Sequence, residues 1–200
     1  YKNSALLAQL QSLDWIKTVH TRAGESLLEL FNTYAEPHEL ISYSGGVAHN
    51  VIWNTQIKNR FRNTVIAPHC ADEGLSLGAV EWLRVKNGMP EFKINNFPYI
   101  QTDEAPDSPP STSDIKRVAK LLAQGHAVGW YQGNGEVGPR ALGNRSILLD
   151  PRLPDGKDIM NRIKKRETYR PFGASVLEEY QHDYFELAHN DDFMLYTATV

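Results

Sequence analysis

The 200-residue chain holds one cysteine, Cys70. A single thiol makes no internal disulfide and no cysteine-only metal site, so a reducing, cytoplasmic setting is the simpler expectation. His69 stands beside Cys70, but no second pair follows at metal-ligand spacing, so both read as packing at a strand end. A run of about 18 apolar residues, the least that crosses a bilayer as a helix, does not occur, and no membrane partner is expected. Positive charge is not in excess. The formal net charge is -3, which leaves no global basic field to hold nucleic acid by counterion release. Internal repeats and extended low-complexity tracts are missing too. Tyr1-Lys2-Asn3 lacks an initiator Met and a signal-peptide core. Tyr196-Thr197-Ala198-Thr199-Val200 alternates like a strand and stops without a turn, so both ends read as cuts through a longer protein.

Periodicity organises what is there. Leu6, Leu10, Leu13 and Ile16, then Leu27, Leu28, Leu30, Phe31 and Tyr34, recur at helical spacing over residues 4–35. Pro37 stops them. Leu40 to Ser44 predicts a strand, Val47 to Asn59 a helix, and Thr64 to Pro68 a second strand. Leu75, Leu77, Ala79, Val80, Trp82 and Leu83 predict a helix that Asn87-Gly88 ends. Strands alternating with helices imply a parallel α/β layer architecture. Residues 101–113 are rich in Pro, Ser, Thr and acid, and read as an interdomain linker. Ser113 or Asp114 is the expected cap of the next helix, which Gly125 stops. Ala127 to Tyr131 predicts a strand, Gln132 to Asn144 a glycine-punctuated loop, Ser146 to Leu149 a strand, and Lys157 to Lys165 a helix.

Three groups of residues carry candidate chemistry. Gly45-Gly46 joins a strand to a helix, where backbone N–H groups can approach phosphate, although ordinary tight turns use the same pair. Asp72, just before a helix, reads either as a cap or as a hard oxygen ligand for a divalent ion. The third group is the most informative. Gly133 to Ser146 sets Glu136, Arg140 and Arg145 among glycines, and Lys164-Lys165-Arg166 with Arg170 follows among Pro and aromatic residues. Arginine grips phosphate bidentately, and this setting favours a small-anion pocket over a solvated basic face. A nucleotide or nucleic-acid binding module without catalysis is the rival reading; the acidic balance elsewhere argues against nucleic acid.

Taken in order, the runs Ser44-Gly45-Gly46-Val47-Ala48-His49-Asn50, Asp72-x-Gly74-x-x-x-Gly78-Ala79, Gly138-Pro139-Arg140-Ala141-Leu142-Gly143-Asn144-Arg145-Ser146-Ile147-Leu148, Asp150-Pro151-Arg152, Lys164-Lys165-Arg166-Glu167 and Arg170-Pro171-Phe172 with Ser175 make a recognisable series. The series resembles the O-carbamoyltransferases of nodulation-factor and cephamycin-type antibiotic biosynthesis. That resemblance implies a fold of class α/β (α+β). Residues 1–100 would end an actin-like ATPase-fold transfer domain, 101–113 would link, and 114–200 would begin a YrdC-like domain. It implies ATP and carbamoyl phosphate as ligands, a small-molecule hydroxyl acceptor, and the rest of a parent polypeptide as partner. Gly45, Gly46 and Asn50 would touch nucleotide in the transfer site. Asp72 would be one ligand of a divalent metal (iron, manganese or magnesium) whose two histidine ligands have no counterpart here. Glu136, Gly138, Arg140, Asn144, Arg145, Ser146, Lys164, Lys165, Arg166, Arg170 and Ser175 would line the carbamoyl phosphate and ATP pocket, with Arg140, Arg145, Lys164 and Arg166 catalytic. Asn134, Gly135 and His49 depart from residues usual in the family.

Overall fold

The computed structural model describes residues 12–91, 93–101, 108–187 and 189–200. The helix expected over residues 4–11 and the linker positions 102–107 lie outside them. The chain forms two compact units: one runs up to Ala67 and takes in Leu195–Thr197, and the other comprises Pro68–Met194 and Ala198–Val200.

In the first unit, helix α1 (Ser12–Tyr34) precedes strand β1 (Ile41–Ser42), a short 3-10 turn (Gly46–His49), helix α2 (Val51–Arg60) and strand β2 (Thr64–Val65). The helix expected from Val47 is thus two pieces, broken at Asn50. Strands β1 and β2 pair parallel, Ile41 with Thr64 and Ser42 with Val65. Parallel neighbours need a crossover, and α2 supplies it. Ile41, Tyr43, Ala48, Ile57, Phe61 and Ile66 are buried around this pair. Phe31 of α1 stands edge-on to Tyr43, with ring centroids 5.4 Å apart. The buried Asn54 amide donates to the carbonyls of Ala48 and Leu195 at 2.7 and 3.0 Å, which ties the returning segment to α2.

The second unit opens with a 3-10 turn (Asp72–Gly74) and helix α3 (Leu75–Lys86). It continues with β3 (Tyr99–Gln101), α4 (Thr112–Ala123), β4 (Val128–Tyr131), β5 (Gly135–Glu136), β6 (Arg145–Leu148) and α5 (Gly156–Ile163). A 3-10 turn at Glu178–Tyr180 and a short helix α6 (Gln181–Tyr184) follow. Both strand pairs here are antiparallel: β3 with β5, and β4 with β6 in the register Val128 to Leu148 through Tyr131 to Arg145. The parallel arrangement read from the sequence for the two strands before residue 69 therefore holds for β1 and β2. The molecule is a mixed α/β fold with small sheets. Helix α4 is capped by Ser111, not by Ser113 or Asp114. The Ser111 hydroxyl accepts from the Asp114 N–H while the Asp114 carboxylate takes the Ser111 N–H, a reciprocal capping box. Residues 112 and 113, expected in the linker, are helical. The strand expected at 196–200 is a single bridge, Glu186 to Thr199.

Candidate functional site

The glycine-rich stretch between β4 and β6 is built around one carboxylate. Glu136, on β5, is 1% exposed. Its Oε1 accepts the backbone N–H groups of Leu142, Asn144 and Arg145 at 2.9, 2.8 and 3.1 Å. Its Oε2 accepts Nε of Arg145 at 3.2 Å, and Nη2 of Arg145 donates to the Glu136 carbonyl. Burial works to raise the carboxyl's pKa. The backbone N–H groups, those of Leu142, Arg145 and Asn144 among them, outweigh it and hold Glu136 below the ordinary glutamate value. The concave set of N–H groups that this loop could offer to an anion is therefore filled by the chain's own carboxylate.

Neighbouring groups fix the same loop. The Asn144 side chain donates to the Asn134 carbonyl at 2.7 Å, and Asn134 donates to the Tyr99 carbonyl at 3.3 Å. The Tyr99 hydroxyl donates to the Leu142 carbonyl at 3.0 Å, and Ser146 Oγ accepts the Gly143 N–H at 3.2 Å. Asn134 and Gly135, expected from the resemblance to be unusual, each have a place in this network. A Cβ on Gly135 would stand 2.9 Å from Nε of Arg145, so its absence admits the guanidinium. Gly138 has φ of +119°, and a Cβ there would lie 2.7 Å from the Pro68 carbonyl; only glycine fits. Arg140 is half-buried and its charge acts on the Cys70 thiol. Burial and the Glu73 carboxylate nevertheless push that thiol's pKa up, so Cys70 is held as a neutral buried group.

The second basic stretch has its own anchor, Asn161 on α5, which is 0% exposed. Its amide donates to the carbonyls of Thr168 and Arg170 at 3.2 and 3.1 Å, and its Oδ1 accepts Nε of Arg166 at 2.6 Å. Arg166 also donates to the Pro171 carbonyl at 3.0 Å and lies 4.2 Å from the Phe172 ring centre. Lys165, at φ 50°, ends α5 in a left-handed turn. Lys164, Lys165 and Ser175 are exposed, and Arg170 pairs with Glu167 at 2.6 Å. Asp150, from the run before α5, is held at about 2 by hydrogen bonds from Arg152. Thus Glu136, Asn144, Arg145 and Ser146 share one hydrogen-bonded network, and Arg166 and Arg170 belong to another. Sequence reasoning missed Tyr99 and Asn161. Tyr99 carries no local signal, whereas Asn161 sits three residues before the basic run on a predicted helix.

In the first unit Gly45, at φ +103°, and Gly46 are exposed, and a Cβ on either would meet nothing within 4 Å. Asn50 caps α2: its Oδ1 accepts the Trp53 N–H at 3.2 Å and its amide sits 2.8 Å from Nε2 of His20. Asp72 is exposed at the first position of its 3-10 turn. It belongs to no group of three or more His, Cys, Asp or Glu side chains close enough to share an ion, among the described residues. A lone exposed carboxylate does not fit a divalent centre by itself.

Residues 119–200, which carry Glu136, the glycine-rich loop and the basic stretch, match the family described as Carbamoyltransferase C-terminus. The chain is a carbamoyltransferase homologue. It is 39% identical over 166 residues to nodulation protein NolNO of Sinorhizobium fredii, covering 74% of this chain and 24% of that protein. It is 35% identical over 186 residues to a 3'-hydroxymethylcephem-O-carbamoyltransferase of Streptomyces clavuligerus, covering 86% and 36%. It is 35% identical over 164 residues to nodulation protein U of Azorhizobium caulinodans, covering 78% and 29%. This homologue thus spans between a quarter and about a third of the length of such relatives. No helix is long and apolar enough to cross a membrane, among the described residues.

Proposed function

We propose that this chain is part of an ATP-dependent O-carbamoyltransferase, with residues 1–100 ending an actin-like transfer domain, 101–113 linking and 114–200 opening a YrdC-like domain that makes carbamoyl-adenylate. The observation that carries the reading is the carbamoyltransferase match over 119–200, which encloses every residue assigned to the carbamoyl phosphate and ATP site.

The chemistry needs activation because resonance deactivates the carbamate carbonyl. Cleavage of carbamoyl phosphate by water yields carbamate and inorganic phosphate. A carbamate oxygen then attacks the α-phosphorus of ATP and pyrophosphate leaves. The acceptor hydroxyl attacks the carbamoyl carbon of the adenylate, loses its proton, and AMP departs. Charge builds on phosphoryl oxygens in the first two steps, and fixed guanidinium groups lower that cost. Arg140 and Arg145 supply such groups from the ordered loop, and Lys164, Lys165, Arg166 and Arg170 form a second basic wall. Asn144, Ser146 and Ser175 add neutral donors, and Gly138 keeps the loop's backbone close. Gly45 and Gly46 expose backbone to a nucleotide in the transfer domain, next to the Asn50 cap. Asp72 would give one ligand to a divalent metal held mainly by residues outside this chain, which would supply Lewis-acid chemistry there.

In the full-length protein, Arg140→Ala should lower carbamoyl phosphate-dependent pyrophosphate release by about tenfold or more, as loss of one charge-stabilising donor does. Unchanged release in a folded variant would remove Arg140 from the site.

A further inference from the structure

Of the residues assigned to the anion pocket, Glu136 is the one whose charge has the wrong sign for phosphate. It is also fully enclosed: its side chain is 0% exposed. A buried carboxylate is costly unless its lone pairs are taken, and here three backbone N–H groups and Nε of Arg145 take them. Three of those donors are consecutive or near-consecutive backbone N–H groups, at Leu142, Asn144 and Arg145. The carboxylate therefore fixes the course of the Leu142–Arg145 backbone from inside.

The fourth donor points to more than loop structure. Arg145 turns Nε and Nη2 inward onto Glu136, to Oε2 and to the backbone carbonyl. The Arg145 side chain is still 41% exposed, so the guanidinium lies at the surface with one edge held. A freely rotating arginine would spend rotamer entropy each time it met a phosphate; a held one has spent it already. Gly135 completes the arrangement, because a Cβ there would stand 2.9 Å from Nε and 3.0 Å from Cζ of Arg145.

We propose that Glu136 is a positioning residue that never meets the substrate: it orders the Leu142–Arg145 loop and aims the outer edge of the Arg145 guanidinium at the phosphate of the carbamoyl donor, with Gly135 making the room. This rests on the adenylation reading above. Its chemical content is specific: the ligand that Arg145 takes is a phosphoryl group, and Glu136 acts only through Arg145 and the loop.

The test uses the full-length protein, with pyrophosphate release measured at saturating ATP while carbamoyl phosphate is varied. Four proteins are compared: wild type, Glu136→Gln, Arg145→Ala and the double variant. Glu136→Gln keeps the volume but replaces one acceptor oxygen with a donor. It should lower kcat by about tenfold or more, as a misaligned charge-stabilising group does. The double variant should lose less than the product of the two single losses, because the part of the Glu136 effect that passes through Arg145 is already gone. Full activity in Glu136→Gln or Arg145→Ala, or losses that multiply in the double variant, would overturn the proposal. Should Glu136→Gln not fold, Gly135→Ala takes its place. It leaves the carboxylate intact and puts a methyl group against the guanidinium. A loss of kcat with unchanged amide protection at Leu142 and Asn144 supports positioning through Arg145; wild-type kcat overturns it. Wild-type protein that releases no pyrophosphate with carbamoyl phosphate fails earlier and differently: it removes the adenylation reading and this inference with it.

Discussion

Glu136 shows how a residue's role can differ from its neighbours' while sharing their motif. Its place between two strands was legible in the sequence, but its burial was not. The donors that surround it come from Leu142, Asn144 and Arg145, six to nine positions later, and no periodicity records such a loop closure. Its lowered pKa gives a pH dependence with a definite sign. A carboxyl held below its unfolded value of 4.5 contributes stability that is fully present above that value. The contribution is lost as pH falls through the lower folded value. Amide exchange at Leu142, Asn144 and Arg145, corrected for intrinsic rate, should stay protected down to that value and lose protection below it. Glu136→Gln should flatten this acid limb; an identical limb in the variant would assign the acid sensitivity to another group. Gly138 is a second case. Its motif marked it as special, and the structure supplies the reason in the Pro68 carbonyl and a φ of +119°. Gly138→Ala should cost about 1–3 kcal/mol of local stability, read as faster amide exchange across the loop. Protection equal to wild type would show that the backbone can move aside.

The helices were read well where an apolar stripe met a stop signal, as in α3 ended by Asn87-Gly88 and α4 ended near Gly125. The short strands were read less well. Strand β5 is only Gly135–Glu136, embedded in glycines, and its partner β3 lies far back in the chain. Two residues carry no alternation, so pairing that depends on long-range closure left no local trace. The break at Asn50, where a 3-10 turn leads into α2, was likewise invisible to a pattern that assumes one continuous helix. The cap of α4 was misplaced by two or three residues because Ser111, Ser113 and Asp114 are all good capping types; the reciprocal bonds select Ser111. Ser111→Ala should destabilise α4 by about 1 kcal/mol, seen as greater amide exchange in its first turn, whereas Ser113→Ala should leave that turn's protection unchanged. Asn161 plays the matching part for the basic stretch, since it holds the Thr168 and Arg170 carbonyls and the Arg166 side chain together. Asn161→Ala should free these groups and raise the apparent KM for carbamoyl phosphate or ATP in the full-length protein. A variant with unchanged KM and kcat would place this stretch outside the ligand site.

The molecule divides into a first unit with a parallel β1–β2 pair and a second with antiparallel pairs. Its carbamoyltransferase relationship rests on residues 119–200 and on matches that run over most of the chain. The family was legible from the order and spacing of short motifs. The expected metal ligand Asp72 is a single exposed carboxylate, and the relatives are about three to four times as long as the segment they share with this chain. On the proposed reading, the acceptor would be chosen by residues of the transfer domain outside this chain. On the same reading, the residues of this chain serve the adenylation half-reaction. The most direct measurement is AMP and pyrophosphate release from ATP by the full-length protein, with and without carbamoyl phosphate. Release that requires carbamoyl phosphate is the expected result, and it would tie the Glu136-centred loop to carbamoyl-adenylate formation. Release that is equal without carbamoyl phosphate, or no release from folded, metal-loaded protein, would contradict that assignment.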